Sequence, residues 1–205
     1  MRLGSKRKTG GQADLTGWLL AGGASRRMGR DKALLPWQGE TLLENRAKLL
    51  AEVCGEVKIL APVGKYRAWG WESLPDQQAG LGPLGGIATA LAESKTEWNL
   101  VLAVDLPFVT VEWLEELWAA RDEACDAVVS DSPTRGVQPL CALWRRRARG
   151  AVEAALVEKE LRVRALVEKL RVKRVVCVDV EMLRNWNEPG DIQFGEAKEG
   201  RRTGE

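Results

Sequence analysis

Leu19-Leu20-Ala21-Gly22-Gly23-Ala24-Ser25-Arg26-Arg27-Met28-Gly29-Arg30-Asp31-Lys32 is the stretch around which the chain is organised. An apolar run from Trp18 to Ala21 leads directly into two glycines, then arginines, a third glycine and a lysine. Glycine lets a backbone approach a ligand closely and present its N–H groups. Arginine and lysine at the same place supply positive charge for phosphate oxygens. A strand feeding such a loop is where an open α/β sheet binds its ligand. The stretch therefore reads as a nucleoside triphosphate site, against the plainer alternative of a basic, solvated turn.

Two familiar phosphate loops are excluded by spacing. Five residues lie between Gly23 and Gly29, and Arg30-Asp31-Lys32 follows, so the Walker A pattern is absent. No G-x-G-x-x-G occurs in the stretch, which removes the dinucleotide fingerprint.

Working outward, Leu15 to Ala21 is predicted as the first strand. Thr41 reads as a helix N-cap with Glu44 three residues on, a capping box, and Leu42, Leu43, Ala47, Leu49 and Leu50 form the apolar stripe. Val57–Ala61 is a second strand and Trp71–Leu74 a weak third. Pro75–Gly86 reads as a long Gly/Pro loop, with Ile87–Ala92 in a helix opening from it. Asn99–Val104 is a continuous apolar run, as for a strand buried on both faces. Thr110 caps a helix over Val111–Ala120. Strands over Asp126–Ser130, Val137–Trp144 and Val172–Val178 alternate with helical runs at Arg145–Val157 and Leu161–Leu170. Pro139 is expected at an entry or an edge of its strand. The alternation predicts a three-layer α/β/α sandwich with a mostly parallel, Rossmann-like sheet. One domain is expected over 15–194, with disordered tails at 1–14 and 195–205.

Composition narrows the chemistry. The 205 residues carry 31 basic and 29 acidic side chains, a net charge of +2, which does not favour a nucleic-acid-binding face. The chain has no histidine, so a His general base, a Ser–His or Cys–His pair and His-ligated zinc are excluded. The cysteines, Cys54, Cys125, Cys141 and Cys177, are widely spaced, which fits reduced thiols in a cytoplasm. Residues 1–13 lack the apolar core of a secretory signal, and no run approaches the ~20 apolar residues of a membrane span. The nine tryptophans are expected mostly in the core.

Any chemistry must then come from carboxylates, cations and metal. Asp105 follows the buried strand, at the strand end where such sheets hold ligands, and one or two carboxylates with phosphates suffice for Mg²⁺. A capping or turn aspartate is the plainer reading. Lys32 and Arg27, with Arg26 and Arg30 held more loosely, would spread over the phosphates. Asp76 would accept hydrogen bonds from guanine N–H groups or a ribose hydroxyl, or is an ordinary turn residue. The Gly80–Gly86 run would meet a base or sugar through its backbone, or is only a connector. Arg145, Arg146, Arg147 and Arg149 read as a solvated face.

Leu20-Ala21-Gly22-Gly23, Ser25-Arg26-Arg27-Met28-Gly29 and Asp31-Lys32 resemble the signature loop of the molybdenum cofactor guanylyltransferases, within the nucleotidyltransferase superfamily that includes the nucleotide-diphospho-sugar transferases. Further landmarks follow in order: Gly82-Pro83-Leu84-Gly85-Gly86, Asp105-Leu106-Pro107-Phe108, Gln138-Pro139-Leu140-Cys141-Ala142-Leu143 and Asn185-Trp186-Asn187-x-Pro189. The resemblance implies transfer of GMP from GTP to the phosphate of molybdopterin with release of pyrophosphate. It implies Leu20, Ala21, Gly22, Gly23, Lys32 and Asp76 at the nucleotide, Mg²⁺ on Asp105, and Asn187, with Asn185 held more loosely, on the pterin or catalytic side. Similar cytidylyltransferases tend to carry Ala-Ala-Gly where this chain has Ala21-Gly22-Gly23. Transfer of CMP, transfer to a sugar phosphate, and a non-catalytic cofactor carrier are the alternatives. Transient contact with molybdoenzymes or their chaperones is the partner class implied.

Overall fold

The computed structural model describes residues 11–22, 31–77 and 80–186. Gly23, Arg26, Arg27, Arg30, Asn187 and most of both expected tails lie outside the described residues. The strands are β1 (Gln12–Leu20), β2 (Pro36–Trp37), β3 (Glu40–Thr41), β4 (Cys54–Leu60), β5 (Ser73–Leu74), β6 (Trp98–Ala103), β7 (Ala127–Ser132), β8 (Gly136–Arg145) and β9 (Val172–Val176). The helices are α1 (Leu42–Val53), α2 (Gly82–Glu93), α3 (Val111–Ala119), α4 (Arg149–Val157) and α5 (Val163–Val167).

Among the described residues a seven-stranded sheet has the order β5-β4-β1-β6-β8-β7-β9. Only β8 opposes the rest: it pairs antiparallel with β6 and with β7, while the other neighbours pair in parallel. The chain runs outward from β1 through β4 to β5, then returns to β6 on the other side of β1. That reversal opens a crevice at the carboxyl ends of β1 and β6, the place where open α/β sheets bind ligands. The three-layer, mostly parallel architecture expected from the alternation is the one observed.

Both faces of the sheet are covered. Leu15 and Leu19 of β1 face a core shared with α1 and α3, including Leu43, Leu50, Leu114 and Leu117. Trp18 points to the opposite core with Leu84 and Ile87 of α2, Val152 of α4 and Leu166 of α5. The period of two along β1 decides which helix meets which side chain. β6 is buried at every position, as a strand covered on both faces must be. Seven of the nine tryptophans, Trp18, Trp37, Trp98, Trp113, Trp118, Trp144 and Trp186, are buried, while Trp69 is exposed. Buried indoles find acceptors where the core is polar: Trp18 donates to Asn99 at 2.9 Å and Trp113 to Ser130 at 3.0 Å.

Several boundaries differ from expectation for physical reasons. β1 begins at Gln12, inside the stretch expected as a tail, because Gly11 and Gly55 permit close approach of two backbones there. A Cβ on Gly55 would fall 2.8 Å from the Ala13 Cα. The residues Gln12, Ala13 and Asp14 are exposed, so no apolar signal marks them. Gly82–Gly86, expected in a loop, is the first turn of α2, which opens with proline at its start. Arg145 ends β8 and a short 3-10 turn, Arg146–Ala148, precedes α4, so the expected helix starts later. α5 is confined to Val163–Val167 because Arg162 is extended and paired with Glu160. Pro139 lies in an interior strand, at the register shift between β7 and β8 and beyond the last β6 pairing at Cys141, so its missing N–H breaks no regular rung.

The capping box on α1 is present as expected. Thr41 Oγ1 accepts from the Glu44 N–H at 3.2 Å, and the Glu44 carboxylate accepts from the Thr41 N–H at 2.9 Å. The Thr41 hydroxyl, donating to the Glu44 carboxylate at 2.6 Å, and then the Thr41 N–H hold the Glu44 pKa below its ordinary value. A carboxylate whose pKa is depressed on folding stabilises above its unfolded pKa, and the contribution is lost as pH falls through the folded pKa. Thr41→Ala is expected to destabilise the chain by about 1 kcal/mol in urea titrations at pH 7, with unchanged slope. The deficit should shrink on acidification below the ordinary carboxylate range.

Candidate active site

The last rungs of the ladder set the site. Ala21 donates to the Leu60 carbonyl at 2.9 Å and Val104 donates to the Leu20 carbonyl at 3.1 Å. The chain leaving β1 and the chain leaving β6 therefore emerge side by side. A cleft of about 520 Å³ opens there, lined by Leu20, Ala21 and Gly22 from β1, by Lys32, and by Asp105 beyond β6. Asp76, Gly80, Gly82, Pro83 and Gly86 line the opposite wall.

Lys32 and Asp105 face each other across this cleft, with Nζ 3.8 Å from Oδ2. Their side chains are 19% and 23% exposed, open enough to meet a ligand. Burial raises the Asp105 pKa, and Lys32 and Asn185 only partly oppose it. Asn185 Nδ2 donates to Asp105 Oδ1 at 3.3 Å, and the Trp186 N–H donates to the Asp105 carbonyl at 2.8 Å. Asn185, near the end of the described chain, thereby joins a residue eighty positions earlier.

Beneath this pair lies an aromatic brace. Trp37 packs edge-on against Phe108 at 5.4 Å and against Trp186 at 5.2 Å between ring centroids. It ties the β2 turn to both segments that carry Asp105 and Asn185. Arg46 of α1, 5% exposed, supports the same turn by donating to the carbonyls of Val109 at 2.7 Å and Leu106 at 3.3 Å. Burial lowers its pKa to about 10, which leaves it charged at neutral pH. Nothing in the local pattern of α1 distinguishes Arg46 from a solvated helix charge, so sequence reading missed it.

Asp76 is anchored through its neighbour. The Gln77 N–H donates to Thr89 Oγ1 at 3.0 Å, and that hydroxyl donates to the Gly85 carbonyl at 3.0 Å. Burial raises the Asp76 pKa. Gly86 is closely approached: a Cβ there would sit 3.1 Å from Leu20 Cδ2, so that side chain would have to give by a few tenths of an ångström. Gly80 and Gly82 hold positive φ of 86° and 61°, which favours glycine at both. The glycine run thus presents a helix N-terminus to the cleft rather than a free loop.

The far end of the glycine-rich loop is tied to its near end. Asp31 caps the 3-10 turn that carries Lys32 by accepting from the Ala33 N–H at 3.1 Å. Lys65 Nζ lies 2.8 Å from Asp31 Oδ2. The fully buried Tyr66 places its hydroxyl 2.9 Å from the Ala21 carbonyl and 3.1 Å from Asp31 Oδ2. Burial, then the Asp31 charge, pushes the phenol pKa up, so the group stays a donor.

A second cavity of about 360 Å³ adjoins the first, and Pro83 and Leu140 line both. Arg162, Arg164, Gln138 and Asn185 face it. Arg162 is bidentate on Glu160, at 2.9 and 2.7 Å, and Arg164 donates to the Arg135 carbonyl at 3.0 Å. Sequence reading missed both arginines as site residues. The Arg145–Arg149 run, in contrast, is spent on structure: Arg145 pairs with Glu97, Arg147 with Asp126 and Arg149 with Glu153.

The structure brings together Leu20, Ala21, Gly22, Lys32, Asp76 and Asp105. Arg27, Gly23 and Asn187 lie outside the described residues. Among the described residues no three His, Cys, Asp or Glu side chains gather as a metal cluster. A single carboxylate at a strand end fits Mg²⁺ held jointly with substrate phosphates, and that is the donor set Asp105 offers.

Residues 17–175 match the model of the MobA-like NTP transferase domain. The chain belongs to this family. A probable molybdenum cofactor guanylyltransferase of Deinococcus radiodurans is 37% identical over 178 residues, which cover 87% of this chain and 92% of that one. Another from Methanothermobacter thermautotrophicus is 35% identical, covering 86% and 96%. The structure of molybdopterin-guanine dinucleotide biosynthesis protein A from Archaeoglobus fulgidus superposes with a TM-score of 0.72 over 91% of this chain and 99% of that one, at 23% identity. The MobA-like fold is thus present from β1 to β9, with the cleft at its crevice.

Replacing Arg46 by Ala would strand two buried carbonyls beneath Asp105. We expect Arg46→Ala to destabilise by about 2–4 kcal/mol in urea melts. Transferase activity per folded molecule should fall as well, whereas Arg149→Ala on the surface should change neither.

Proposed function

We propose that this protein transfers GMP from GTP to the phosphate of molybdopterin, forming the guanine dinucleotide and releasing pyrophosphate. The names of its relatives support the reaction, and the facing pair Lys32 and Asp105 in the larger of two abutting cavities supports the site. GTP is assigned to the larger cleft beside Ala21 and Gly22. The pterin phosphate is assigned to the smaller cavity, where Arg162 and Arg164 offer cationic partners.

In this reading an oxygen of the acceptor phosphate attacks the α-phosphorus of GTP. A new P–O bond forms, the bond to the β-phosphate bridging oxygen breaks, and its electrons leave with pyrophosphate. The nucleophile is already anionic, so no proton must be removed first. That suits a chain without histidine. The protein's work is alignment and charge balance. Lys32 brings its ammonium to the phosphates, and Asp105 would hold Mg²⁺ with their oxygens. When bound, Mg²⁺ supplies neutralising charge on the phosphate oxygens. Arg27 is assigned to the phosphates by the loop's charge pattern, and Asn187 to the pterin or catalytic side by the family resemblance.

The decisive assay is pyrophosphate release by purified protein with Mg²⁺, molybdopterin and each of GTP, CTP, ATP and UTP. Release with GTP alone is expected. Release with CTP alone would overturn the guanine assignment, and release with none, beside an active control enzyme, would overturn the transferase.

Asp105→Asn should separate function from stability. Because burial raises the Asp105 pKa in the folded chain, ionisation at neutral pH opposes folding, and that opposition fades as pH falls through the raised pKa. The variant is therefore expected to lose activity by ~100-fold or more while its melting temperature at pH 7 rises. A lower melting temperature would contradict the assignment of Asp105 as an under-compensated carboxylate.

A further inference from the structure

Tyr66 is fully buried against the Ala21 carbonyl and outside the lining of the cleft, whereas Ala21 and Gly22 line it. Its hydroxyl takes hold of the Ala21 carbonyl at 2.9 Å. Lys65 Nζ approaches the same oxygen at 3.4 Å. The Ala21 carbonyl and the Gly22 N–H belong to one peptide unit, and no cis bond occurs among the described residues. In a trans peptide these two groups point in opposite directions. Holding the carbonyl on the Tyr66 side therefore turns the N–H away from Tyr66, at a residue that lines the cleft.

We propose that Tyr66 is a positioning residue that fixes the Ala21–Gly22 peptide plane so that the Gly22 N–H donates to bound nucleotide. The inference rests on the larger cleft being the nucleotide site. The same hydroxyl also contacts Asp31, which caps the turn carrying Lys32. The phenol has one proton for these two acceptors, and the shorter contact is the one to the Ala21 carbonyl. Asp31 is held from a second direction by Lys65, so the loss of the hydroxyl should fall chiefly on the Ala21–Gly22 peptide. Phenylalanine preserves the ring packing and removes only the donor, after which a buried carbonyl retains the weaker Lys65 contact and the peptide is free to rotate.

The test uses the full chain, with GTP and Mg²⁺ as the probe. Tyr66→Phe is expected to raise both the GTP dissociation constant and the KM for GTP about 5- to 10-fold, with kcat within about twofold. A purely structural role would lower the melting temperature and leave the dissociation constant of the folded protein unchanged, and that result would overturn the inference. A second measurement needs no variant: the wild-type Gly22 amide, followed in a ¹⁵N–¹H spectrum, should shift on GTP addition. Shifts at other cleft amides without one at Gly22 would overturn the Tyr66 inference and leave the nucleotide site standing. No shift anywhere in the cleft would overturn the nucleotide site and the inference with it.

Discussion

The hydrogen bond from the Val104 N–H to the Leu20 carbonyl, 3.1 Å long, is the contact on which the site depends. It is the last rung between β1 and β6, and it lies just before both strands give way to irregular chain. Because the rung is backbone to backbone, it fixes two emerging segments whatever their side chains. Gly22 and Asp105 become neighbours through it although they are far apart in sequence. The β1–β4 rung from Ala21 to Leu60 fixes the other side. Parallel pairing makes all three strands end on one edge, and the reversal of chain direction at β1 opens that edge to a ligand.

What the sheet brings together, side chains then hold. The aromatic brace of Trp37, Phe108 and Trp186 and the guanidinium of Arg46 act on the turn after β6 from below. Tyr66 and Lys65 act on the loop after β1 in the same way. Both supports reach the site through carbonyl groups. A carbonyl held from the core leaves the rest of its peptide, and the side chains beyond it, directed at the cleft. The cost is buried polarity. Arg46 is desolvated, and the donors on Trp37 and Trp186 are buried with no acceptor among the described residues. Such groups are tolerated where tight packing leaves the backbone few alternatives.

Local pattern made part of this readable in the sequence. The apolar entry to the glycine loop, the capping box at Thr41 and the wholly apolar β6 are signals carried by adjacent residues, and each appears where expected. Asp105 was readable because its place, directly after a buried strand, is itself a local statement. The glycine run at Gly82–Gly86 misled, since glycine and proline together usually punctuate a loop. Here proline opens the helix, and Gly86 packs tightly against Leu20 of β1, a contact no local window contains. The reversed direction of β8 was equally hidden, because its buried run Cys141–Trp144 is what a strand between two neighbours shows in either direction. Tyr66, Arg46, Arg162 and Arg164 are ordinary residues in their own segments. Their meaning comes from what the fold sets opposite them.

The electrostatics of Lys32 and Asp105 show how little of the site is an ordinary ion pair. At 3.8 Å the charges lie beyond hydrogen-bonding distance, so neither has surrendered its direct partners to the other. Burial raises the carboxylate's pKa despite the lysine, so the cation nearby does not fully compensate it. A pair selected for stability alone would close into contact, or be replaced by apolar side chains. A pair held open in the cleft instead keeps a carboxylate able to take a cation and an ammonium able to take an anion. Mg²⁺ with a nucleoside triphosphate is one ligand that supplies both at once. The turns that carry these two charges are held from behind by a buried tyrosine and a buried arginine, neither of which lines the larger cleft.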